Sequence, residues 1–182
     1  MGAIEIYFGT ITLIIMLIAL ARGYHKELGS TMIIMVAIFL LRLVEEQFNP
    51  ALTRLGAAFF PVSETPNEQQ LFLSSVYLLF FVVAVFAGYA GQTITFAGKP
   101  LPPPRGTILT LVVGFINGYL IAGTVWYYQD AYGYPLSQFG LLKPEFSPVA
   151  QALIQVLPQN LMPSSSLWMI PIAVLLLIRV RG

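Results

Sequence analysis

One arginine and two glutamates, Arg42, Glu45 and Glu46, stand at the end of an apolar segment. A charge one or two turns inside a membrane segment is costly unless it is paired or reaches water, and such groups can belong to ion pathways. Arg42 and Glu46 are four residues apart, the spacing of an ion pair on one helix face. We favour this local pair at the outer interface, and a proton or ion pathway is the alternative.

The amide of Asn117 lies near the middle of another apolar segment. An unpaired amide in hydrocarbon costs free energy, so we expect a partner such as Ser74, Ser75 or Tyr77 on a neighbouring helix. This pattern favours a bond between helices over a contact with a substrate.

Catalytic and cofactor chemistry has few candidate residues. The chain has no cysteine, and its one histidine, His25, is expected to be a solvated loop residue. Thiolate sites and bis-histidine haem ligation within one chain are therefore excluded. Ser164, Ser165 and Ser166 have no local histidine as base, and they are typical of a helix cap. We predict no enzymatic activity, no metal site and no resident cofactor.

The elements that position these residues are apolar helices. Hydrophobic residues form 57% of the 182 residues and charged residues 9%, against about 25% charged in soluble domains. The fold class predicted is all-α, a polytopic membrane bundle with four to five transmembrane helices. Their ranges are 4–21, 31–44, 71–96, 107–128 and, as a short fifth crossing, 167–178. Residues 49–69 and 98–106 are expected to be non-helical, and 147–157 an interfacial amphipathic helix.

Small residues at four-residue spacing predict close helix packing. They are Ala84, Gly88 and Gly91 in the third span and Gly114 and Gly118 in the fourth. We expect these two spans to touch. An aromatic group is expected to form an interfacial belt at the outer surface, and it consists of Trp126, Tyr127, Tyr128, Tyr132, Tyr134 and Trp168.

Basic residues in short links predict the orientation, because they favour the cytoplasmic side. They follow the first, third and last spans: Arg22, Lys26, Lys99, Arg105, Arg179 and Arg181. All acidic residues except Glu27 fall on the opposite side: Glu5, Glu45, Glu46, Glu64, Glu68, Asp130 and Glu145. The N-terminus is therefore predicted outside and the C-terminus inside, with five crossings.

Residues 19–28 carry a loop motif, Arg22, Gly23, Lys26 and Glu27, after the first span. This segment resembles the corresponding loop of the colicin V production (CvpA) family, in which an Arg-Gly pair precedes an aromatic and a basic-acidic pair. Residues 114–120 resemble the family's glycine-spaced last span, and 146–163 its amphipathic tail. Asn117 departs from the arginine that members often carry.

The resemblance implies two parts, a CvpA-like four-span membrane domain over 1–163 and an additional C-terminal transmembrane segment over 164–182. It also implies a bacterial inner-membrane protein associated with colicin V production and envelope homeostasis, without an assigned catalytic mechanism. Our leading hypothesis is a non-enzymatic accessory or structural subunit, or a homo-oligomer. Its partners would be membrane lipids and other membrane-protein subunits or itself, and not nucleic acid, because the nine basic residues are scattered. The alternative is a transporter or channel component using Arg42, Glu45, Glu46 and Asn117.

Overall fold

The computed structural model describes residues 3–59, 67–90, 94–96, 98, 101–140 and 147–181. In this part of the chain the helices are α1 Ala3–Arg22, α2 Tyr24–Phe59, α3 Asn67–Ala90, α4 Arg105–Ala131, α5 Pro148–Gln155, α6 Pro158–Leu161 and α7 Ser165–Arg181. A 3₁₀ helix, Pro135–Phe139, precedes α5. These ranges contain no strand, and the all-α prediction is confirmed. Gly91, Lys99, Glu64, Glu145 and the Arg181 side chain lie outside the described residues.

Four helices, α1 to α4, are each long and apolar enough to cross a membrane. The chain is a membrane-spanning helical bundle. Helix α7 is apolar but has 17 residues, which gives about 25 Å at about 1.5 Å per residue, less than the ~30 Å of a hydrocarbon core. The fifth crossing therefore stays a prediction.

Helix α2 differs most from the predicted elements, because it is 36 residues long and contains Pro50. The expectation that residues 49–59 form a loop was wrong. A proline removes one backbone hydrogen bond and kinks a helix, but packing can hold the helix together beyond it. Here Tyr77 of α3 donates to Asn49 Oδ1 at 3.1 Å, and Gly56 lies against the Phe72 ring.

Helices α2 and α4 form the centre of the bundle. In the most apolar stretch of each helix, 56% of α2 and 50% of α4 residues are buried, against 22% for α1 and 28% for α3. The central core joins α2, α3, α4 and the start of α7, and its buried residues are Ile34, Ala37, Ile38, Leu41, Leu73, Tyr77, Phe81, Leu120, Ile121, Tyr128 and Trp168. The outer faces of α1 and α3 remain exposed.

The small residues of α4 face α1, which runs antiparallel to it. A Cβ added at Gly114 would lie 2.6 Å from the Ala19 Cβ, and one at Gly118 would lie 2.8 Å from the Thr12 Cα. Gly88 of α3 instead faces Ile33 of α2. Helices α3 and α4 contact each other, as predicted, although the small residues of each helix pack on a different neighbour.

The predicted aromatic belt is largely internal. Trp126, Tyr128, Tyr134 and Trp168 are each at most 5% exposed. Both indole N–H groups have internal partners, which permits their burial: Trp126 Nε1 donates to Tyr134 Oη at 3.0 Å, and Trp168 Nε1 to the Met162 carbonyl at 3.0 Å. Burial also raises the pKa of the Tyr134 hydroxyl above its ordinary value. The prediction of an outer belt was therefore wrong for these four side chains.

The predicted amphipathic helix is α5, preceded by Ser147, whose Oγ accepts a hydrogen bond from Ala150 N at 3.1 Å. This segment is anchored to α1, because Ser147 Oγ also donates to the Glu5 carboxylate. The short helix α6 follows, and Gln159 Nε2 donates to Thr124 of α4 at 2.8 Å. Helices α5 and α6 thus pack on the bundle at the end where α1 begins.

Charges separate between the two ends of the bundle. Arg22, Lys26, Arg105 and Arg179 share the end that we call the basic end, since α1 and α4 are antiparallel and α7 returns along α2. The described acidic residues other than Glu27 lie at the opposite, acidic end, together with Arg42 and Arg54: Glu5, Glu45, Glu46, Glu68 and Asp130. This grouping matches the predicted one, while its relation to a cytoplasm stays a prediction.

Candidate functional site

A buried carboxylate lies where the four long helices meet. Glu27 of α2 has 0% of its surface exposed. Its Oε1 accepts a hydrogen bond from Arg22 Nη1, at the end of α1, at 3.0 Å. Its Oε2 accepts one from Tyr89 Oη of α3 at 3.0 Å and one from Asn117 Nδ2 of α4 at 2.9 Å. One side chain therefore bonds to all three of the other candidate spans.

Hydroxyls and an aromatic ring complete this group. Arg22 Nη1 also donates to Ser30 Oγ at 3.0 Å, and its guanidinium lies 4.4 Å from the Tyr89 ring centroid. Thr31 Oγ1 donates to Asn117 Oδ1 at 2.7 Å. We call this group the basic-end cluster, and its members are Arg22, Glu27, Ser30, Thr31, Tyr89 and Asn117. Its two opposite charges compensate each other inside the protein.

The turn between α1 and α2 positions Glu27. Gly23 is the one residue between the two helices, and its φ of +84° is a conformation that favours glycine. Glu27 N donates to the Gly23 carbonyl at 3.1 Å, so the helix is already formed at Glu27. The predicted loop after the first span, with the motif Arg22, Gly23, Lys26 and Glu27, is therefore a one-residue turn. Arg22 and Glu27 face inward, and only Lys26 of the motif is exposed.

The partners predicted for Asn117 were wrong for a geometric reason. Helices α3 and α4 are antiparallel, so the beginning of α3 meets the end of α4. Ser74 therefore accepts a hydrogen bond from Gln129 Nε2 at 3.1 Å. Gln129 is about 18 Å further along α4 than Asn117 at ~1.5 Å per residue. Ser75 and Tyr77 also belong to this distant end.

At the acidic end, Arg42 reaches three groups. It donates to Glu45 Oε2 at 2.6 Å, to Tyr127 Oη of α4 at 2.8 Å, and to the Pro163 carbonyl before α7. An ion pair of Arg42 with a glutamate at the end of the apolar segment 31–44 was predicted correctly, but the predicted partner, Glu46, was wrong. Glu45 is the partner because Glu46 is held elsewhere.

Glu46 binds the start of α7. Its Oε1 accepts from Ser165 N at 2.7 Å and its Oε2 from Ser165 Oγ at 2.6 Å. The Glu46 carboxylate therefore caps the N-terminus of α7, where a negative charge is favourable. The serines were predicted to cap the last helix, and the structure adds a glutamate of α2 that binds the first of its residues, Ser165. The acidic-end cluster consists of Arg42, Glu45, Glu46, Tyr127 and Ser165.

An apolar layer separates the two clusters. Between Glu27 and Arg42, α2 advances about 22 Å at ~1.5 Å per residue. Ile34, Ile38 and Leu41 fill this interval and are at most 2% exposed. In the described part of the chain, an ion pair lies near each end of the bundle and an apolar core lies between them. Both clusters connect neighbouring helices through hydrogen bonds.

The remaining candidate, His25, is half buried in the first turn of α2 rather than in a solvated loop. Its ring lies 5.3 Å from that of Tyr24, and its carbonyl accepts from Phe96 N at 3.4 Å. The loop expectation failed because residues 94–96 return to α2 and cover it. Among the described residues, no group of three His, Asp or Glu side chains could hold a metal ion.

Comparison with known proteins adds no relative: no protein-family model, no curated protein and no solved structure matches this chain.

Proposed function

We propose that the chain is a non-enzymatic bacterial inner-membrane protein that acts by association, as an accessory or structural subunit of a membrane complex or as a homo-oligomer. The resemblance of residues 19–28 to the CvpA family favours this assignment. Membrane lipids and other membrane proteins, or a second copy, are its proposed partners.

The apolar layer between the two polar clusters carries the proposal. A transporter or channel needs polar or ionisable groups near the middle of the membrane. Asn117, the one candidate near the middle of its span, has its side-chain amide bonded to Thr31 and Glu27 of α2. Arg42, Glu45 and Glu46 bond to neighbours at the acidic end. This distribution favours a scaffold over the transport alternative.

The outer faces of α1 and α3 are the surfaces left for lipids or a protein partner. On α3, Leu79 is 67% exposed and Phe86 is 71% exposed. Gly88 packs against Ile33 of α2, whereas Ala87 is exposed on the outer side of α3. A small side chain at such a position lets another helix approach closely.

Ala87→Trp is therefore expected to abolish an association made through α3 without unfolding the bundle. Native mass spectrometry of the full chain, extracted from bacterial membranes in mild detergent, would measure the complex. Val112→Trp is the matched control, because Val112 is an exposed apolar residue on α4. Gly9→Trp places the same bulk on the outer side of α1, where Gly9 has open space. A strictly monomeric wild-type chain would contradict the proposal.

The transport alternative is tested in proteoliposomes. We expect no ion or proton flux above that of protein-free vesicles, and the same result for Arg42→Ala. A flux that Arg42→Ala removes would contradict the scaffold assignment and support the alternative.

The proposed orientation predicts which positions face the cytoplasm. The chain lacks cysteine, so single replacements can be labelled without a background. Arg105→Cys and Arg179→Cys, at the basic end, should react with an impermeant maleimide only after the inner membrane is opened. Phe139→Cys, at the acidic end, should react in intact spheroplasts. Opposite labelling of the two basic-end positions would disprove the fifth crossing.

A further inference from the structure

An open pocket of about 440 Å³ lies at the basic end of the bundle. Its walls are the turn between α1 and α2, the residues Thr95, Phe96 and Gly98, and the start of α4. Arg22, His25 and Lys26 line it, and none of the described lining residues is acidic. The pocket therefore offers positive charge to whatever enters it.

The cations in this pocket differ in their availability. Arg22 Nη1 forms an ion pair with Glu27 Oε1 at 3.0 Å within the basic-end cluster, so its charge is already balanced. Lys26 is exposed, and no carboxylate among the described residues forms an ion pair with it. Its ammonium group is therefore available to an external anion.

The rest of the wall combines hydroxyl and apolar groups. Thr107 is exposed and can donate a hydrogen bond, while Leu20 and Leu101 provide apolar surface beside it. A cation and a hydroxyl suit a phosphate oxygen, and basic pockets between membrane helices bind lipid headgroups in this way.

We propose that this pocket binds a phosphate group, with Lys26 as its main cation and His25 beside it. The phosphate could belong to an anionic lipid headgroup, with its glycerol against Leu20 and Leu101, or to a small soluble ion. The proposal goes beyond the scaffold assignment and does not depend on it, since a transporter could carry the same pocket.

The test uses the full chain in a neutral detergent, titrated separately with dioctanoyl phosphatidylglycerol, dioctanoyl phosphatidylcholine and inorganic phosphate. We expect phosphatidylglycerol to bind, and Lys26→Gln to weaken its binding about fivefold, the effect of one basic side chain at an anionic surface. His25→Gln should weaken it by a smaller factor. Binding of inorganic phosphate with the same loss in Lys26→Gln would identify a soluble ion as the ligand.

The control is Arg179→Gln, which removes one positive charge at the same end but outside the pocket. It should leave phosphatidylglycerol binding within about twofold of the wild type, because a surface charge outside the pocket acts only at a distance. Equal losses in Lys26→Gln and Arg179→Gln would overturn the proposal, since general attraction to the basic end would then explain binding. Equal binding of phosphatidylcholine, or no binding of either anion, would overturn it as well.

Discussion

Replacing Glu27 with glutamine is expected to destabilise the folded bundle by about 3–5 kcal/mol, the usual cost of removing one partner of a buried ion pair. The neutral amide would leave the guanidinium of Arg22, whose side chain is only 16% exposed, without its counter-charge. It would also replace an acceptor of hydrogen bonds from Tyr89 and Asn117 by a group that is partly a donor. Reversible unfolding by sodium dodecyl sulfate in mixed micelles measures this difference.

Two variants separate this effect from a general loss of charge. Glu68→Gln makes the same chemical change at the exposed start of α3 and should cost less than about 1 kcal/mol. Arg22→Gln combined with Glu27→Gln should be less destabilised than the sum of the single variants, because it leaves no unpaired charge. A Glu27→Gln protein within about 0.5 kcal/mol of the wild type would contradict the role of the basic-end cluster.

The sequence predicted the spans and the separation of charge well, because each depends on local composition. Four of the five apolar segments correspond to helices α1 to α4, which are long enough to cross a membrane. The start of α5 after Ser147 was also predicted, since a serine cap followed by proline is a local signal. Such features need no knowledge of which helix lies beside which.

The contacts between helices could not be predicted in this way. Glu27 was assigned to a loop because its neighbours are polar, yet its burial follows from partners that come from three other helices. Its spacing of four residues from Thr31 is the one sequence signal that could have placed it on the inner face of α2. The extension of α2 beyond Pro50 likewise depends on α3, through the bond from Tyr77 to Asn49.

Close packing of α1 on α4 is the second feature on which stability depends. At Gly118 an added Cβ would lie 2.8 Å from both the Cα and the carbonyl oxygen of Thr12. Both are backbone atoms, so a side-chain rotation cannot relieve the overlap, and the two helices would have to separate. Without a hydrophobic driving force in the bilayer, close packing is a main source of attraction between helices.

Gly118→Ala is therefore expected to destabilise the bundle by about 1–3 kcal/mol, the range found for overpacked cores, despite the higher helix propensity of alanine. Gly9→Ala is the matched control, because it makes the same change on α1 where nothing lies within 4 Å. It should be neutral or stabilise the protein by up to about 1 kcal/mol, as propensity alone requires. The unfolding assay in mixed micelles compares the two. If Gly118→Ala were as stable as Gly9→Ala, the close approach of α1 and α4 would be wrong.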